Sequence, residues 1–344
     1  MTPSPALAET IELLYETGWT DGLPVVPPTG DLVERFIRAS DRPADELIAE
    51  LPPLGGRATV ERIAVNAVMA GCLPEYMPVV ITAVQALMDD RFNLRGVQCS
   101  TGIHCPLVIV NGPIVKQLDI NSGYNCFGQG WRANATIGRA FRFILQNIGG
   151  AIPGDTDRST FGHQGKFSSC IGENEEASPW PPLHVERGLE GSDSAVTVIA
   201  VDPHIMVNDA SSTVGEGVLH SIASTMIQAG SNNALFGGEI VVILGPEHVD
   251  MLVRDGWDPS RIRAFLYERG RVPLSFFSPE NLERVRGRRG EIFAREDLKS
   301  VPVADDAESI CMFVAGGLGK HSLVIPTFGH THSVTRKIAF SFTD

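Results

Sequence analysis

The chain is short of positive charge, of paired cysteines and of long apolar runs, and each shortage removes a class of function. Lys and Arg number 28 against 41 Asp and Glu, a net charge of −13. A phosphate backbone needs a cationic face, so nucleic acid is excluded as a partner. The basic cluster at residues 284–289 (RVRGRR) is followed at once by Glu291 and reads as a solvated turn. Six cysteines without a CxxC pair fit a reducing compartment better than a disulfide framework. No apolar run approaches the ~18 residues of a membrane span, and no charged-then-apolar leader opens the chain. A cytoplasmic protein without membrane contact is expected.

With 344 residues, 43% hydrophobic and 20% charged, the chain can bury a full-sized core in one large or two intimately packed domains. The apolar runs 106–110, 196–201, 240–244, 310–314 and 322–325 read as strands, and 214–229, 247–255 and 259–268 as helices. Alternation of the two predicts an α/β fold. Strand 106–110 runs into Asn111-Gly112-Pro113, and strand 240–244 into Gly245-Pro246-Glu247; each follows a helix and a glycine-containing loop. This repetition predicts two pseudo-repeated helix–strand halves packed as one compact unit, 1–190 and 191–344, in which 64–113 and 214–247 are equivalent. A homo-oligomer is expected.

Ahead of these lie an amphipathic helix over 5–15 and short helices over 30–40 and 43–51. Helices over 59–71 and 74–87 are separated by Gly71. Between residues 18 and 29, Pro24, Pro27 and Pro28 forbid a helix, so an extended arm is predicted. Either it straps the body, or Trp19, Thr20 and Asp21 reach a site.

The segment 122–180 is the one the chain is organised around. Ile137, Ala140, Phe141, Ile144, Leu145 and Ile148 form one apolar stripe of helical period, and Gly149-Gly150 supplies the stop. Arg139, Arg142 and Gln146 stand on the polar side. The Gly128-Gln129-Gly130 turn leads into the helix, whose N-terminus offers free N–H groups to an anion. After Gly150 a long loop rich in Gly, Asp, Ser and Pro follows, and compact domains rarely keep such a loop without a use for it.

Several side chains carry candidate chemistry. Cys72 precedes a helix N-terminus, where the dipole favours a thiolate. Cys170 is a second candidate nucleophile, with His163 or His104 as base, although the acidic loop after it raises its pKa. Glu173, freed by Gly172 to turn sharply, is the preferred acid/base carboxylate. Arg139 offers a bidentate fork to an anionic substrate, with Asn134 on the same helix. Its bland alternative is an ion pair with Asp155, Asp157 or Glu173. His321, His330 and His332 form a candidate divalent-metal set. Cys99, His104, Cys105, Cys126 and Cys170 make a second ligand cluster of non-standard spacing. Gly316 to Lys320 after a strand is not a Walker A, since Val314 stands where glycine is needed and His321 follows the lysine. Backbone N–H groups around Gly317 still suit an anion beside Lys320.

The phrases TDGLPVVPPT (20–29), NAVMAGCLPEYMPVV (66–80), RANATIGRA (132–140) and GENEEASPW (172–180) resemble a poorly characterised bacterial family associated with small UGSC- or CGSC-type (seleno)proteins. The resemblance covers nearly the whole chain and implies redox or thiol-dependent chemistry with a selenol or thiol partner. The histidines of Phe328-Gly329-His330-Thr331-His332-Ser333 depart from its pattern. The expectation is an enzyme, oxidoreductase or lyase, acting on a small anionic metabolite by thiol- or metal-assisted chemistry. The alternative is a non-catalytic subunit that presents substrate to the small partner.

Overall fold

The computed structural model describes residues 5–294, 298–329 and 331–339. In chain order its strands are β1 (Leu47–Leu51), β2 (Gly56–Thr59), β3 (Cys105–Asn111), β4 (Cys170–Gly172), β5 (Ala195–Val201), β6 (Ile205–Asn208), β7 (Ile240–Leu244), β8 (Arg271–Pro273), β9 (Ser300–Pro302), β10 (Ile310–Val314), β11 (His321–Ile325) and β12 (Val334–Lys337). Among the described residues they form two four-stranded sheets, β12-β5-β3-β4 and β10-β7-β11-β6, and the two-stranded pairs β1-β2 and β8-β9.

The strands of both sheets read as unbroken apolar runs because both of their faces are covered. Successive side chains point to opposite faces, so residues divide by parity. Cys105, Leu107 and Ile109 of β3 share one core with Val241 and Ile243 of β7 and with Cys311 and Phe313 of β10. Val108 and Val110 of the same strand join instead the helices Val60–Ala70, Met77–Leu87 and Arg132–Phe143. Val242 and Leu244 join the helices Gly215–Met226, Pro246–Arg254 and Pro259–Arg269. The architecture is a compact α/β sandwich in four layers, with helices outside and the two sheets facing each other. Ile109 is wholly buried between the sheets, and its truncation to alanine removes about 2 to 5 kcal/mol.

In the first sheet β3 is parallel to β4 and antiparallel to β5, which is antiparallel to β12. In the second, β7 is parallel to β10 and antiparallel to β11, which is antiparallel to β6. The two sheets therefore share the same pattern of directions, one parallel and two antiparallel pairings, but not the same strand order: the far edge strand is the last of its sheet in the chain in one (β12) and the first in the other (β6). A division at 190/191 does not follow them. Strands β5 and β12, both beyond residue 190, belong to the first sheet beside β3.

Two local expectations are corrected. Residues 47–51 form strand β1, not the end of a helix, because Ala49 and Leu51 alternate inward while the strand pairs with β2. Residues 284–289 are not a turn: most of them belong to the helix Pro279–Arg288, capped by the Ser278 hydroxyl with Pro279 in its first turn. The arginines lie on aromatic faces, Arg284 and Arg288 over Phe236 and Arg286 over Phe293. Arg289 is buried and donates to the Pro302 carbonyl at 2.6 Å.

Candidate functional site

The helix Arg132–Phe143 carries the N-terminal arm on one side and the 150–167 loop beyond its end. Arg139 closes a bidentate fork on Asp21, Nε to Oδ2 at 2.7 Å and Nη2 to Oδ1 at 2.8 Å. The same Nη2 donates to the Pro24 carbonyl at 2.9 Å. Gln146 Nε2 reaches the Thr20 carbonyl and Asn147 Nδ2 the Trp19 carbonyl, each at 3.0 Å. The arm is thus strapped to the helix, and Thr20 and Asp21 also reach a cavity. Arg139 is where the structural alternative placed it, in an ion pair, but its carboxylate comes from the arm rather than from the following loop.

That cavity, about 660 Å³, lies between the arm and the loop, within the size range of small-molecule sites. Arg142, one turn beyond Arg139, lines it and is only 8% exposed. Its Nη2 donates to the Ala151 carbonyl at 3.0 Å. Among the described residues no acceptor meets its other N–H groups, and no carboxylate is bonded to it. Burial lowers its pKa, opposed by the charges of Asp157 and Asp21. Lys166, in the same wall, is neutralised by Asp157, with its Nζ 2.8 Å from both carboxylate oxygens.

His163 also lines this cavity, and a smaller one of about 130 Å³ on its other side, with Asp202 and His204. Its Nδ1 accepts from the Gly165 N–H at 3.2 Å, which assigns the ring proton to Nε2. That Nε2 is buried without an acceptor. Burial lowers the pKa of His163, so the ring is neutral at pH 7. Gly165 has no room for a side chain, since a Cβ would stand 2.6 Å from the His163 ring and 2.9 Å from Cys105 Sγ. Behind the smaller cavity His104 pairs through Nδ1 with Asp202 and stacks on Phe328 at 4.3 Å.

The thiols are corrected as nucleophiles. Cys72 is buried and donates to the Thr136 carbonyl at 3.2 Å. Burial pushes it up to about 12, outweighing the nearby Arg132 and Arg139 charges. Cys170 on β4 is also raised, by burial rather than by the acidic loop after it. Cys105 and Cys311 are pushed up to about 12, again chiefly by burial. A thiol loses more solvation on ionising in such a place than a helix dipole returns.

Glu173 stands apart from the cavity. Its Oε2 accepts from Asn111 Nδ2 at 2.5 Å and from the Leu183 N–H at 2.9 Å. Burial pushes it up to about 7, near the operating range of an acid/base group. The void against it holds only about 10 Å³. Beside it Glu175 accepts from the Gly112 N–H at 2.7 Å and lies 3.8 Å from His184 Nδ1, a ring wholly buried with neither nitrogen bonded.

The remaining candidates are spent on the fold. Asn134 accepts from the Asn121 N–H at 2.7 Å and donates to the Asn121 and Cys126 carbonyls, holding the glycine-rich turn. The N–H groups of Gly319 and Lys320 both donate to Glu247, so this turn already holds a carboxylate, the protein's own. Gly317 lies against the Tyr124 ring, 2.1 Å from where a Cβ would be. His332 lies 3.5 Å from Glu239, which raises its pKa, while His321 pairs in register with Asn208. His330 lies outside the described residues. Among those described, no group of three or more His, Cys, Asp or Glu is arranged to hold a metal.

Nothing in the sequence marks Asp157 and Lys166, two loop residues, as an ion pair. Arg142 was visible on the polar side of the helix, but one turn decides which arginine straps the arm and which faces the cavity. In comparisons with known proteins no family model matches this chain, and no curated protein matches it.

Proposed function

We propose that the chain is a cytoplasmic enzyme that binds a small anionic metabolite in the cavity between the arm and the 150–167 loop. The observation that carries this is Arg142, a buried guanidinium bonded to no carboxylate in a wall where the other cations are already neutralised. Burying a charge without a counter-ion is costly unless a ligand supplies one. His163 lines the same cavity as a ring whose charged form burial disfavours. Lyase-type chemistry fits these groups better than a step through the chain's own thiols. As a test, thermal shifts are measured with mono-, di- and tricarboxylates and inorganic phosphate. At least one anion stabilises the wild type and not Arg142→Gln; equal shifts in both proteins refute the reading.

A second reading is favoured by those protonated thiols: the chain presents substrate to a small thiol or selenol partner of the UGSC type. Purified chain that turns substrate over only with added dithiothreitol supports this reading, and turnover without thiol refutes it. The shared pattern of one parallel and two antiparallel pairings supports reading the two sheets as pseudo-repeated halves.

A further inference from the structure

We infer that the ligand of this cavity is a monocarboxylate with an apolar body, an inference that rests on the reading of the cavity as an anion site. The charges on its wall can be paired off. Asp21 is held by Arg139 and Asp157 by Lys166, each through a bidentate contact. His163 is neutral. Arg142 is left as a single uncompensated cation, so the wall balances one negative charge. A second or third charge on the ligand would be set against the Asp21 and Asp157 carboxylates in a low-dielectric site, where repulsion is strong.

The guanidinium presents a planar edge, one Nη of which already serves the Ala151 carbonyl. A planar carboxylate matches what remains. Four apolar side chains stand among the polar ones of the mouth. Ile152, Pro153, Phe161 and Phe167 line the cavity, and Phe161 is 90% exposed, Phe167 48% and Ile152 46%. Apolar side chains gathered at the rim of a polar cavity gain by covering an apolar ligand body. Thr20 and Gln146 stand on the arm side.

The test is isothermal titration of the full chain with phenylacetate, its neutral isostere phenylacetamide, citrate and inorganic phosphate. Phenylacetate binds, and the other three bind at least roughly tenfold more weakly, the size of one charge-assisted hydrogen bond. Arg142→Lys weakens phenylacetate roughly tenfold. Phe167→Ala, a change at a half-exposed side chain, weakens phenylacetate by roughly threefold or more and leaves acetate unchanged. If citrate or phosphate binds best and Arg142→Lys weakens it, the monocarboxylate inference falls while the anion site stands. If phenylacetamide binds as well as phenylacetate, or none of the four binds, both fall. Should Arg142→Lys fail to fold, phenylacetate binding unchanged by Phe167→Ala overturns the apolar-body inference.

Discussion

Replacing Glu173 with glutamine is expected to make the protein more stable at pH 8 and to flatten its response to pH. The carboxyl lies 3% exposed at the end of β4, and burial raises it from its ordinary 4.5 to about 7. Between those two values the folded chain holds a proton that the unfolded chain has lost. The stability this group contributes is therefore fully present below about pH 4.5 and is lost as pH rises through 7. At about 1.4 kcal/mol per decade the loss comes to about 3 kcal/mol. Most of it falls between pH 5 and 8. Glutamine keeps an acceptor for the Leu183 N–H and for Asn111 Nδ2. Urea unfolding of both proteins at pH 5, 6, 7 and 8 measures the difference, in which other titrating groups cancel. The wild type should lose about 2 to 3 kcal/mol more than Glu173→Gln across that range. Parallel pH profiles would refute the reasoning.

Arg139→Lys keeps the charge but breaks the fork on Asp21. Limited proteolysis should then cut the arm between residues 18 and 29 markedly faster, while a cleavage rate equal to wild type removes the strap. Ellman's reagent on the folded protein should titrate Cys99, the exposed cysteine, and reach Cys72, Cys105, Cys170 and Cys311 only after denaturation; rapid reaction of Cys72 would restore it as a nucleophile. The imidazole of His332 should titrate above 6.5 by NMR because Glu239 bonds it, and return toward that value in Glu239→Gln. A midpoint unchanged by that substitution separates the two side chains.

Features that repeat within a few consecutive residues are legible in the chain alone. The apolar stripe from Ile137 to Ile148 names a helix, the runs around Leu107, Val242 and Phe313 name strands buried on both faces, and Pro24, Pro27 and Pro28 name an arm. Alternation of helix and strand was enough for the α/β class. The strand β1 was missed because its partner β2 supplies the reason for it, and residues 284–289 were misread because their aromatic supports lie elsewhere in the chain.

Which charges meet depends on the folded arrangement. Asp21 stands 118 residues from Arg139, and no local pattern pairs them. That contact turns the expected substrate clamp into a strap and leaves Arg142, three residues on, as the cation facing the cavity. Cys72 sits where its neighbours suggest a reactive thiolate, yet complete burial pushes it up to about 12. A residue's periodicity is a property of its neighbours in the chain, whereas its solvation and its counter-ion are properties of whatever folds against it.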